Sequence, residues 1–226
     1  AIGTQASAYN TTATNNTAVG YQALYYNTTG GNNTAFGAST LGVGSGAITT
    51  FSNSTAVGYG ALYKNTASNN SALGYQALLN NTTGTPNDAF GVQALFNNTT
   101  GTYNVAIGQT TLYSNVTGSS NIAIGSQALY TNTANDNVAI GITALAQNTT
   151  GTANTAVGTG ISGAAYGALR SNTTGSYNVA VGNSALVTNT TGSYNVAIGV
   201  QALQSATTGY NNTAVGYQAG ATITTG

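Results

Sequence analysis

One interval governs this chain. Taking the glycine that closes each AVG, AIG, AFG or ALG triplet as a marker, it recurs at Gly3, Gly20, Gly37, Gly58, Gly74, Gly91, Gly108, Gly125, Gly141, Gly158, Gly182, Gly199 and Gly216. Successive markers stand 16 or 17 residues apart, except for 21 between Gly37 and Gly58 and 24 between Gly158 and Gly182. Those two intervals are one period plus four and one period plus seven, so they predict insertions near 42–54 and 159–165 inside a single repeat domain spanning 1–226. A fixed short period means stacked units, each contacting its neighbours.

Within a period the columns are strict. Four residues before the marker stands asparagine, at Asn16, Asn33, Asn70, Asn104, Asn121, Asn137, Asn154, Asn178, Asn195 and Asn212. One before it stands Val, Ile, Leu or Phe. Four after it stands leucine, at Leu24, Leu41, Leu62, Leu78, Leu95, Leu112, Leu129, Leu145, Leu186 and Leu203. A variant of NTTG then closes the unit. Helical repeats need about 33 residues for two helices and their turns, so this unit is too short for them. Two short strands and two turns fit. TAVGY and NVAIG alternate with period two, and Asn and Gly at NTTG supply the positive φ of a tight corner. The predicted fold is all-β: a parallel β-solenoid of about thirteen 17-residue coils, roughly 60 Å long at about 4.8 Å per coil.

Stacking accounts for the fidelity of the repeat. Equal columns lie above one another, so leucine becomes an apolar spine and asparagine a ladder of amides hydrogen-bonded from coil to coil. A charge kept in every coil would face its like about 4.8 Å above and below. The composition agrees: the only charged residues are Lys64, Asp88, Asp136 and Arg170, with net charge zero. Without a basic surplus there is no counterion-release contribution to hold phosphates, so nucleic acid is not an expected partner. Nor does any apolar run reach the roughly 18 residues of a membrane span. Solubility falls to neutral hydrogen-bonding side chains, and a neutral surface favours self-association.

Catalysis is not expected. His and Cys are absent, and Asp88 and Asp136 lie about three coils apart, too far to share a proton or flank a bond. No cofactor or metal ligand set is predicted. Asn27, Asn81, Asn98, Asn115, Asn148, Asn172 and Asn189 are N-x-[ST] sequons, acceptors for N-glycosylation or, alternatively, corner residues. Tyrosines fall in columns at Tyr21, Tyr59, Tyr75 and Tyr217, at Tyr25, Tyr63, Tyr113 and Tyr130, and at Tyr103, Tyr177 and Tyr194. Such rows either pack between coils or stack on sugar rings. Alternation puts the Val/Ile column on one face and the preceding Ala on the other, and in a thin trimeric roll both faces are buried.

The phrase N-x-A-[VI]-G-x-x-A-L, as in NVAIGITAL at 137–145 and NVAIGVQAL at 195–203, resembles the head repeat of YadA-like trimeric autotransporter adhesins. It is also similar to the NTAVGYQAL…NTTG arrays of phage-type tail-fibre proteins. The resemblance covers essentially the whole chain. It implies a left-handed β-roll in which three chains associate side by side, in the head or shaft of an extracellular fibre on a cell surface, filament or virion. The chain begins and ends in mid-unit, which suits either a piece of a longer fibre or end coils that dock head to tail. The expected function is therefore a structural or adhesive fibre segment whose partners are copies of itself, a surface glycan or a host receptor. The alternative is an ice-binding solenoid. Its threonine ladder would be the pairs at 28–29, 82–83, 99–100, 149–150, 173–174 and 190–191, since the column at Thr17, Thr34 and Thr55 drifts to Ser71, Asp88 and Val105.

Overall fold

The computed structural model describes residues 1–42, 44, 46, 49–160 and 166–225. It is all-β. Twelve short strands form one sheet: β1 (Thr17–Val19), β2 (Thr34–Phe36), β3 (Thr55–Val57), β4 (Asn70–Leu73), β5 (Asn87–Phe90) and β6 (Asn104–Ile107). They continue as β7 (Ile122–Ile124), β8 (Val138–Ile140), β9 (Thr155–Val157), β10 (Val179–Val181), β11 (Val196–Ile198) and β12 (Thr213–Val215). Sheet order equals chain order, and neighbouring strands are parallel. Register follows the repeat without slippage: Ala18 pairs with Ala35, Ala35 with Ala56, and so on to Ala197 with Ala214. The result is a β-solenoid of about eleven turns, roughly 53 Å from first strand to last. The coil of the first marker is represented by one parallel bridge, Ile2 to Val19, which is why twelve strands stand where thirteen markers were counted.

Each coil holds one strand, not the two expected from sequence. Beyond the marker the second and fourth residues take positive φ, as at Gln22 (53°) and Leu24 (55°), or Gln93 (55°) and Leu95 (51°). Alternate left-handed residues wind the chain tightly and destroy the extended conformation, though coil-to-coil bonding persists: Leu95 N donates to Thr111 O and Leu112 N to Ala128 O. A left-handed conformation costs a residue with a Cβ about 1–2 kcal/mol. Burying a leucine offsets this with about 1.5–3 kcal/mol, and every leucine of the column is fully buried.

The interior is narrow. Alanines two before the marker and three after it, the leucine spine and asparagines fill it, while the Val/Ile column points outward. Ala35, for example, is 0% exposed and the adjacent Phe36 56%. Leu169, displaced by the second long interval, belongs to the spine, since Leu145 N donates to Ala168 O and Leu169 N to Ala185 O. Thr40 and Thr111 replace inner alanines and satisfy their hydroxyls on Gly37 O and Gly125 O.

The insertion predicted near 42–54 is not wholly a surface loop. Thr49 rejoins the stack by a bridge to Asn27, and Phe51, 1% exposed, enters the core. Bonding of Thr28 N to Thr49 O puts Phe51 level with Gly30, where a ring now fills the corner that asparagine fills elsewhere. Residues 43, 45, 47, 48 and 161–165, which include most of the second insertion, lie outside the described residues.

The marker glycines, like the corner glycines, let one coil approach the next closely. At Gly91 (φ +148°) an added Cβ would lie 2.3 Å from Gly108 O. Gly91→Ala combines that clash with backbone strain and is predicted to cost about 3 kcal/mol or more, read as a lowered midpoint in urea denaturation.

Candidate functional site

Three surfaces of the rod carry features beyond packing: the two asparagine columns, the aromatic rows and the outer sheet face.

The strand asparagines line the interior. Asn33, Asn70, Asn104, Asn121, Asn137, Asn154, Asn178 and Asn195 are buried, and Asn16 and Asn212 half-buried. Asn87, at the same offset from Gly91, completes the column. Asn104 shows the arrangement. Its backbone N and Nδ2 both donate to Asn87 Oδ1 (3.0 and 3.1 Å), Nδ2 also donates to Gly118 O (2.8 Å), and its Oδ1 accepts in turn from Asn121. Ser54 stands in for asparagine beside the first insertion, taking Asn33 Oδ1 on its N–H.

A second ladder occupies the corner: the sequon asparagines are the corner residues given as the alternative from sequence, and their amides bond from coil to coil, which the sequence did not announce. Asn27, Asn81, Asn98, Asn115, Asn148, Asn172 and Asn189 are all 0% exposed. Asn98 Nδ2 donates to Asn81 Oδ1 (2.8 Å) and to Gly101 O (3.1 Å), and Asn98 Oδ1 accepts from Asn115 (2.9 Å). Asn65 and Asn132 occupy the same buried corner in NTA sequences that are not sequons. The column thus keeps the asparagine and not the acceptor motif, and a glycan on these amides has no room in the folded coil. The ladder breaks at Asn27, Asn115 and Asn189, whose buried Oδ1 atoms accept no hydrogen bond among the described residues. Above Asn115 the coil is one residue short, and Asn132 Nδ2 turns to Ala134 O instead.

The aromatic rows are largely stacked on themselves. Phe96, Tyr113 and Tyr130 lie parallel at 5.1 and 5.3 Å, and Tyr177 on Tyr194 at 5.1 Å. Inner members of such a stack present edges, not faces, to solvent, which weighs against sugars stacking along the row. Tyr9, Tyr25 and Tyr26 form a separate cluster, where a hydrogen bond with Tyr9, and secondarily burial, raises the Tyr25 phenol above its ordinary range. In the corner pairs the first threonine hydroxyl is engaged, as in Thr99 Oγ1 to Val116 O (3.1 Å) and Thr173 Oγ1 to Thr190 O (3.0 Å). This leaves the second threonine as the freer hydroxyl column for the ice-binding alternative.

The middle column of the outer sheet face, one residue before each marker, is apolar in every strand. Phe36, Leu73, Phe90, Ile107, Ile140, Val181, Ile198 and Val215 are exposed upon it, with Tyr21, Tyr59, Tyr75, Val92, Ile142, Val200 and Tyr217 alongside. The three outward columns, about 6.8 Å apart, make a band roughly 13 Å by 53 Å, or about 700 Å²; its flanking columns mix apolar residues with Thr17, Thr34, Thr55, Ser71 and Asp88 on one side and Gln109, Ser126 and Asn183 on the other. Among the described residues no group of three or more His, Cys, Asp or Glu comes together, and no helix is long and apolar enough to cross a membrane. No family model, curated protein or solved structure matches the chain.

Two outcomes follow. Asn98→Asp removes both amide donations and places a carboxylate among buried carbonyls, so it is predicted to destabilise by about 3–5 kcal/mol, measured by denaturant titration at neutral pH. Peptide mapping of protein secreted from a glycosylating host should find the seven buried corner asparagines named above unmodified in the folded fraction, in contrast to exposed sequons such as Asn10 and Asn53.

Proposed function

We propose that this chain is a structural and adhesive segment of an extracellular fibre, in which copies of the rod associate side by side through their outer sheet faces. The observation that carries this reading is the column of Val, Ile, Leu and Phe that runs along the middle of the outer face through every strand, on a chain that otherwise sorts its side chains strictly. The outer face as a whole, about 700 Å², approaches the roughly 800 Å² per partner of a stable interface. A surface repeating every 4.8 Å or so is complemented best by another with the same repeat, which makes a second copy the natural partner. The resemblance to YadA-like heads and tail-fibre arrays supports three copies and a place outside the cell. The remaining surface presents the same amides and hydroxyls in coil after coil, which suits multivalent attachment to a glycan or receptor.

Native mass measurement should give a multiple of the single-chain mass. Ile107→Lys combined with Ile140→Lys puts two ammonium groups on the proposed seam and should yield folded single chains, with the circular dichroism spectrum kept. An unchanged multimer, or a wild-type protein that runs as a monomer at micromolar concentration, would refute the assembly. Absence of thermal hysteresis is expected; its presence would favour ice binding.

A further inference from the structure

The second residue after the marker is usually glutamine, and these side chains bond between adjacent coils: Gln22 Nε2 to Gln5 Oε1 at 2.8 Å, Gln93 to Gln76 at 3.0 Å, Gln218 to Gln201 at 2.9 Å. In other coils the column carries small residues, Thr110, Thr143, Gly160 and Ser184 among them, and one such stretch borders a cleft. There Ser39 and then Gly60 stand in the column, and the missing side chains open the cleft, of about 260 Å³, lined by Ser39, Tyr59, Gly60, Tyr63, Lys64, Gln76 and Leu79. A second departure falls in the same coil. Lys64, exposed and one of only four charged residues in the chain, stands where the following coils have Asn80 and Asn97.

The wall of the cleft is also unusual. Tyr59 stacks on Tyr75 with ring centres 5.7 Å apart and 15° between planes, so one of its faces is covered. Its other face looks toward the preceding coil, where the same column holds Ala38, a methyl group, so this ring keeps a face for a ligand. Aromatic face, amide, hydroxyl and ammonium around a space of this size are the groups that bind a sugar ring: carbon-bound hydrogens against the tyrosine, hydroxyls on Gln76 and Ser39. The ammonium adds a requirement for negative charge, and on an otherwise neutral rod no neighbouring cation competes for it. The cleft is smaller than the roughly 300–1,000 Å³ of drug-sized sites, which limits it to about one ring.

We infer that the cleft at Gly60 is a binding site for a single acidic sugar unit, a hexuronic acid or a related carboxylated pyranose, with Lys64 on the carboxylate and the free face of Tyr59 under the ring. The lining residues come from one chain, and Tyr59 stands in a flanking column of the outer face, so the site is compatible with side-by-side association carried by the middle column.

The repeat supplies the control. Gly60→Gln restores the residue that the column carries elsewhere, at a φ of +67° close to that of the native glutamines, and an added Cβ meets only Leu79 Cδ1 at 3.3 Å and Gln76 Cγ at 3.5 Å. Lys64→Asn likewise restores the neighbouring coils' residue and changes an exposed side chain. Saturation-transfer NMR on the full chain would use galacturonate, galactose, which replaces the carboxylate by a hydroxymethyl group, and acetate as the carboxylate alone. Galacturonate should bind about tenfold or more tighter than galactose, the worth of one charge-assisted hydrogen bond. Acetate should give no competition at equal concentration. Lys64→Asn should erase the preference for galacturonate, and Gly60→Gln should abolish both sugars with the melting temperature and oligomeric mass unchanged. No transfer to either sugar, galactose bound as well as galacturonate, acetate competing equally, or wild-type binding by Gly60→Gln would each overturn the proposal. Should Gly60→Gln fail to fold, loss of the preference in folded Lys64→Asn decides the matter. Failure of this test leaves the native mass result untouched, and the reverse holds too.

Discussion

Everything in this rod depends on the hydrogen bond between one coil and the next. Alanine lies on alanine along the whole sheet, and the turns bond to the turns above them as regularly as the strands do. Because each coil sits on a copy of itself, any side chain must be compatible with its own image about 4.8 Å away. Amides meet that condition, since each can donate to one neighbour and accept from the other. Charges do not, and this chain has almost none.

The same stacking holds a strained backbone. Leucine and glutamine are poor choices for left-handed conformations, yet they adopt them in coil after coil. The leucine side chain is thereby turned inward, where no water reaches it, and its N–H finds a carbonyl in the next coil. Strain of about 1–2 kcal/mol per residue persists because burial and ladder bonding over-determine the conformation. An isolated coil would have no reason to keep it. This is the energetic sense in which one coil cannot fold alone.

The period, the parallel stack, the leucine spine and the strand asparagines could be read from sequence, because all are properties of columns and columns are visible as spacing. What could not be read were properties of backbone conformation. Two strands per coil fitted the length of the unit, and nothing in the side chains of Gln22 or Leu24 announces a positive φ. The corner asparagines were legible as residues but not as a ladder: NTTG satisfies both a sequon and a turn, and only the buried NTA corners at Asn65 and Asn132 separate the two. Alternation separated the alanine face from the valine and isoleucine face without showing that, in a single rod, the larger side chains are the outer ones. Phe51 was hidden in an insertion that composition alone made look dispensable. The cleft at Gly60 is likewise visible only where two unremarkable substitutions meet in space.

The corner ladder is discontinuous. It runs from Asn65 to Asn115, restarts at Asn132, where the coil is one residue short, and ends at Asn189, above which Ala206 takes the asparagine's place. Polarisation of one amide by the next therefore cannot travel the length of the molecule. Electrically and cooperatively the corner behaves as two short zips set end to end, with the shortened coil as the joint that lets each close on its own.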